Sequence, residues 1–357
     1  MVQKLGPVTQ RNRQAQWRDK FERIRQEFNH AGTEHHFLGL HFTFRYEQIP
    51  ICPADFEMLI DWRPDCIVTF IDDAYCVRER IHSGGYKSFS LMELVQWRAE
   101  EALIGDILAR LVNPKSPIPN YIVSVKHPST MLARLLLGRN VARIYMSYRI
   151  TETRNHASQR DLIDGFRRLM HAQQNCVAFD PLTIDELPPL NPSLEQNLGD
   201  GPLLYDAQNT VLRWPALDPP NALTMDDLSY PIKVPLEEIR DVREAVDAQV
   251  KNRDIRLVDQ AHFLVVYRPT FAPTPDSPKN PKLSSGVQGE VDYAAATCCP
   301  VIWYVKKGHD PLPDSPFADK RPGSDPKMFY EEDDTRFWQY VAQLQKSADR
   351  ERDYFLR

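Results

Sequence analysis

The segment Ser284-Ser285-Gly286-Val287-Gln288-Gly289-Glu290-Val291-Asp292-Tyr293-Ala294 lies between two apolar runs, 263–267 and 301–304. Small residues at a helix start let the backbone approach a ligand. The free N–H groups there favour an anion such as phosphate. One turn further in, Glu290 would project its carboxylate over the carboxyl end of a sheet, where open α/β sheets bind ligands. Spacing alone leaves a second reading equally open: a helix whose early Glu is simply favoured by the macrodipole.

Two further segments carry reactive groups. Arg253-Asp254-Ile255-Arg256-Leu257-Val258-Asp259-Gln260-Ala261-His262 stands just before the apolar run 263–267. Asp254 is expected at the end of the preceding helix, where a negative charge opposes the dipole, so a carboxylate there either has a task or is a solvated helix end. Tyr145-Met146-Ser147-Tyr148-Arg149-Ile150-Thr151 closes another strand-like run. Hydroxyls and a guanidinium at a strand's carboxyl end suit a sugar phosphate, although Tyr145 would serve equally as core. Arg268, in the loop after 263–267, is a further cation for a phosphate.

These pieces together resemble the nucleoside 2-deoxyribosyltransferase superfamily, which includes the 2'-deoxynucleoside 5'-phosphate N-hydrolases, over residues 142–305. The shared pattern is a strand ending in an aromatic residue and a small-residue loop, an Asp ahead of a buried strand, then Ser284-x-Gly286-x-x-x-Glu290-x-Asp292-x-Ala294 and Pro300-Val301. Asp292 stands where the family has Gly, Tyr148 where the hydrolases have Gly, and His262 where the family has a second Asp. The resemblance implies that Glu290 is a nucleophile toward the anomeric carbon and that Asp254 contacts the sugar or protonates the departing base. It implies that Tyr145 orients Glu290, that Ser284 and Gly286 hold a 5'-phosphate, and that Ser147, Arg149 and Arg268 bind substrate. The chemistry follows the general logic of glycoside cleavage by paired carboxyl groups. No cofactor and no metal is implied. The expected partners are a small nucleoside or nucleotide and, by resemblance, a second copy in a homo-oligomer. Two other functions remain open: an NAD glycohydrolase of the Toll/interleukin-receptor-like type, which also uses a Glu, and an inactive nucleotide-sensing module.

The elements that must position these residues follow from hydrophobic periodicity. Trp17, Phe21, Ile24 and Phe28 predict a helix that Gly32 ends. The stretch 36–44 reads as a strand, as does Asp65–Ile71. Ser90 and Glu93 form a capping box opening a helix to about Leu111. Tyr121–Val125 reads as a strand, followed by a short helix after His127-Pro128. In the second half, strands are expected at 142–147, 176–179, 263–267 and 301–304. Helices are expected at 158–172 (Leu162, Phe166, Leu169 and Met170 inward), from Pro235 on the stripe Leu236, Ile239, Val242, Val246 and Val250, at 286–297 and at 333–352. Strands alternating with helices predict two α/β units with parallel sheets. The boundary is expected near 140, with a Pro-rich insertion at 183–235. By the resemblance the C-terminal unit is flavodoxin/Rossmann-like. Pro64–Ile81 is similar to the later part of P-loop nucleotide kinases, in which a strand precedes an arginine-bearing helix, but no GxxxxGK[ST] loop is present.

Bulk properties narrow the class. The 357 residues carry 44 Lys plus Arg against 49 Asp plus Glu, a net charge of −5, which argues against a nucleic-acid polymer as partner. No apolar run approaches the ~18–20 residues of a membrane span, and Met1–Gln26 is polar. The six cysteines form no CxxC and are expected as buried thiols of a cytoplasmic protein. GxGxxG, HExxH and GxSxG motifs are absent. Pro is abundant and Gly scarce, 29 against 14, which predicts stiff, ordered loops. The densest prolines, at 183–235, 269–283 and 311–322, are expected to wall a nucleotide-sized pocket.

Overall fold

A computed structural model describes residues 10–46, 49–85, 89–138, 141–151, 153, 157–184, 186, 204–206, 233–269, 283–305, 327–330 and 335–343. The chain forms two compact units, Met1–Ile122 and Val123–Arg357. The division falls ahead of the residue 140 expected from sequence, because the helix Ser129–Leu137 packs on the strand Cys176–Phe179 of the second unit.

The first unit runs α1 (Gln10–His30), β1 (Phe44–Tyr46), β2 (Ile49–Ile51), α2 (Phe56–Trp62), β3 (Ile67–Ile71), α3 (Ala74–Ser83), α4 (Leu91–Val112) and β4 (Asn120–Ser124). Gly32 takes a positive φ of 61° just past α1, the left-handed stop that glycine tolerates. Ser90 and Glu93 form the predicted capping box. The expected single parallel sheet is absent among the described residues: β1 and β2 pair antiparallel, and β3 and β4 form a separate two-stranded sheet. Residues 36–43 are not a strand either. The Phe42 and Thr43 N–H groups donate to the Glu101 carboxylate at 3.1 and 2.8 Å, so a side chain takes the place of a neighbouring strand. Phe42 still reaches the core with Phe21, Leu59, Ile67 and Leu108, which is what its apolar pattern reported. Two arginines hold the turn after β3: Arg80 of α3 pairs with the Asp72 carboxylate, and Arg98 of α4 donates to the Asp72 carbonyl at 2.8 Å.

The second unit continues with α5 (Ser129–Leu137), β5 (Ala142–Ser147), α6 (Ala157–Ala172), β6 (Cys176–Phe179), a 3-10 turn (Pro181–Thr183), β7 (Leu204–Asp206), β8 (Lys233–Pro235), α7 (Leu236–Asp259), β9 (Phe263–Arg268), α8 (Ser285–Ala296), β10 (Val301–Val305) and β11 (Lys327–Tyr330). Residues 335–343 form a last helix. Five strands make one all-parallel sheet in the order β11-β10-β9-β5-β6. Counted along the chain from the other edge this is 2-1-3-4-5, so the winding direction reverses between β5 and β9. The remaining pair, β7 and β8, is antiparallel and lies in the predicted insertion, most of which is outside the described residues. Of the loops expected as pocket walls, 269–283 lies outside them except at its two end residues, and 311–322 lies outside them entirely.

Side chains alternate across a strand, so β5 serves two layers at once. Ala142, Ile144 and Met146 face a core with Ile163, Phe166 and Met170 of α6 and Phe337 and Val341 of the last helix. Leu162, expected inward, is one position off this stripe and is exposed, while Ile163 takes its place. The other face of the sheet is covered by α7 and α8. Helices on both faces explain why these strands are nearly continuous apolar runs.

A polar network is buried beside the edge strand. Asp180, just after β6, accepts from Arg167 Nε at 2.8 Å and from Tyr148, and caps the 3-10 turn through Leu182 N–H. Burial alone would raise the Asp180 carboxyl, but Arg167 and bonds from His171 and Tyr148 outweigh it and hold it well below the usual range. Tyr148 is thus a core residue. His127 accepts the Asp180 N–H on Nε2 at 3.1 Å and sits 3.3 Å from the Ser124 carbonyl through Nδ1. Among the described residues no helix is long and apolar enough to cross a membrane. No disulfide joins the six cysteines; Cys76 and Cys176 are buried as expected, while Cys52, Cys66 and Cys299 are half-buried and Cys298 is exposed.

Burial, followed by the charge of His171, lowers the His127 value from 6.5 to about 3. Below pH 6.5 the unfolded chain therefore binds a proton that the folded chain refuses. Stability should fall between pH 6.5 and 3 by about 1.4 kcal/mol per pH unit for this one group. Urea unfolding of the parent and of His127→Gln across that range measures it: the variant should show the shallower slope, and equal slopes would refute the assignment.

Candidate active site

Local patterning brings the site residues inward. On α8, Val287, Val291 and Ala294 are buried, and Glu290 shares their face. On β5, Tyr145 and Ser147 lie two apart on the α8 side of the sheet, both fully buried. On α7 the buried residues run Ile239, Val242, Val246, Val250, Leu257 and Val258. Asp254 fills the slot four after Val250, a carboxylate set into a core-facing stripe. The helix does not end there, as expected from the sequence, but continues to Asp259. The dipole argument for Asp254 therefore fails, and the interrupted stripe is the feature that marks it.

These elements converge. Tyr145 Oη donates to Glu290 Oε1 at 2.7 Å, and Ser147 Oγ donates to Glu290 Oε2. Burial and then the charge of Asp254 raise the Glu290 value from 4.5 to about 8, against the pull of the two hydroxyls and of Arg253. Asp254 is itself raised by burial and pulled back by Arg253. Burial and the same two carboxylates push Tyr145 well above its usual value, so it remains a donor. Both carboxyl groups are half-buried, and their mutual repulsion opposes the ionisation of the two at once.

Arg149 and Arg268 stand two residues beyond the paired positions Ser147 and Val266, at the carboxyl ends of β5 and β9 where the sheet winding reverses. Burial and the neighbouring Arg149 charge lower the Arg268 value, the mark of two guanidiniums held close together. Ser284 is the N-cap of α8, its side chain accepting the Val287 N–H. Gly286 and Gly289 have no positive φ, and a Cβ added at either would meet nothing within 4 Å. No neighbour among the described residues demands glycine there. His262 is a structural link: its Nδ1 accepts from Arg143 N–H at 3.2 Å and its backbone N–H donates to the Arg143 carbonyl at 2.7 Å. Asp292 accepts from Gln288 one turn back at 2.7 Å.

Sequence reasoning placed Tyr145, Ser147, Asp254 and Glu290 in one site, and the structure brings these four together. It missed Arg253, which grips Asp254. Adjacent residues on a helix do not face each other, so nothing in the spacing pointed to it. It also missed the Asp180 network. No group of three or more His, Cys, Asp or Glu among the described residues could hold a metal ion. No family model, curated protein or solved structure matches this chain.

The folded protein keeps the Glu290 proton that the unfolded chain has lost above about 4.5, so its contribution to stability is full below 4.5 and lost as pH rises through about 8. Glu290→Gln, which carries no charge to bury, should melt at a higher temperature than the parent, with the gap widening from pH 5 to pH 9. Thermal melts at three pH values read this, and a variant less stable at pH 9 than the parent would refute it.

Proposed function

We propose that the second unit cleaves or transfers the N-glycosidic bond of a nucleoside or nucleoside 5'-phosphate, with Glu290 as nucleophile. The observation that carries this reading is the hydrogen bonding of both Glu290 oxygens by Tyr145 and Ser147, with Asp254 beside them. The strand order 2-1-3-4-5 supports a flavodoxin-like fold, in which ligands bind at the winding reversal. Tyr145, Ser147, Arg149 and Arg268 all lie on or just beyond β5 and β9, the strands that flank it.

The reaction needs one carboxylate and one proton, and the pair supplies both. Glu290 oxygen forms a bond to the anomeric carbon while the bond from that carbon to the base nitrogen breaks. The bonding electrons leave with the base, and the proton that Glu290 gives up as it bonds to carbon passes to Asp254, which delivers it to the base. Tyr145 and Ser147 keep the Glu290 carboxyl group aimed. Water, or a second base, then attacks the anomeric carbon and frees Glu290. Arg149 and Arg268 supply the positive end for a 5'-phosphate, a geometry suited to guanidinium groups.

Incubation with a panel of nucleosides, their 5'-phosphates and NAD, with chromatographic detection of free base, tests the reading. Base release is expected from a nucleoside or nucleotide, absent in Glu290→Gln and reduced by about 100- to 10,000-fold in Asp254→Asn. Nicotinamide as the only product would favour NAD glycohydrolysis. No base from any substrate, with folded protein, overturns the proposal.

A further inference from the structure

Asp254 is held from one side only. Arg253 directs Nε at 3.0 Å and Nη2 at 2.8 Å to the same oxygen, Oδ1. No hydrogen bond reaches the other oxygen, Oδ2, among the described residues. Successive side chains on an α-helix diverge by about 100°, so Arg253 must fold back along α7 to make this contact. The force that folds it back comes from elsewhere in the chain. Its third nitrogen, Nη1, donates to the Ile184 carbonyl at 2.9 Å. Glu186 is almost fully buried at 1 % exposure, and its charge acts on Arg253. Burial would weaken the guanidinium's hold on its proton, but Asp254 and Glu186 outweigh that and keep it charged.

Ile184 and Glu186 follow the 3-10 turn that Asp180 caps, and Asp180 is pinned by Arg167. A continuous set of contacts therefore runs from the edge of the sheet, through this turn and Arg253, to Asp254. We infer that Arg253 is the positioning residue of the site: it fixes Asp254 by Oδ1 so that Oδ2 is left to meet the substrate, and Ile184, just after the 3-10 turn, together with Glu186 fixes Arg253. The substrate's part in this inference rests on the N-glycosidase reading; the grip on Asp254 does not. A lysine cannot replace the guanidinium here. One ammonium supplies the charge but not two bonds to Asp254 and a third, in a fixed plane, to Ile184.

The test uses full-length protein labelled with 13C at the aspartate side-chain carboxyl, the Asp254 resonance being identified by its loss in Asp254→Asn. In Arg253→Gln the Asp254 titration midpoint should rise by about one pH unit or more, since a neighbouring guanidinium lowers a carboxyl by that amount. Base release should fall by about 100-fold, the cost of a misplaced group. Arg253→Lys should keep the midpoint near the parent value while turnover still falls at least about tenfold. An unmoved midpoint in folded Arg253→Gln overturns the grip. Parental turnover in Arg253→Lys overturns the positioning role, and this arm stands even where Arg253→Gln does not fold. A shifted midpoint in a protein whose parent releases no base supports the grip and overturns the N-glycosidase reading alone.

Discussion

A carboxyl group drawn into the second unit against two hydroxyls, with another carboxyl beside it, is the constraint around which that unit is arranged. Burying one carboxylate is costly, and burying two together is more so unless a proton or a cation compensates. Tyr145 and Ser147 each donate to Glu290, and Arg253 answers Asp254. The raised Glu290 value, about 8, leaves a proton on that carboxyl near neutral pH as the remaining compensation. These groups arrive from three elements: β5, α7 and α8. Only a parallel sheet with α7 and α8 on one face brings those elements together at the carboxyl ends of its central strands.

The supporting structure uses the same device at a second place. Asp180 and Arg167 are buried at 0 % and 1 % exposure and answer one another, with Tyr148, His171 and His127 completing the set. A buried pair of this kind contributes little net stability over an apolar replacement, but removing one partner costs about 3–5 kcal/mol. Its effect here is geometric. It fixes the turn after β6, and that turn carries the carbonyl that holds Arg253. The first unit shows the same economy in Glu101, which satisfies backbone N–H groups where a strand was expected.

Much of the second unit was legible in sequence because its strands are buried on both faces and its helices carry apolar stripes. The runs 142–147, 176–179, 263–267 and 301–304 fall within a residue of the observed strands for that reason. Ser90 and Glu93 announced α4, and Gly32 announced the end of α1. The stretch 36–44 misled because an apolar run packed on a core looks the same whether its N–H groups meet a strand or a carboxylate. Leu162 misled by one position, since neighbouring helical residues differ by about 100° in direction. Asp254 was selected for a wrong reason: it does not end a helix but interrupts a stripe.

The sequence alone determined the residue types, their order, and the alternation that makes an α/β unit with Glu290 in the first turns of its helix. Local spacing and periodicity carry that information. Only the tertiary structure decided that Tyr145 and Ser147 share Glu290 across about 145 residues of chain, because strand order is a long-range property. It also decided that Arg253 serves Asp254 rather than solvent. The turn at Ile184 and Glu186 that folds it back lies some 70 residues away, and no helical period records such a contact.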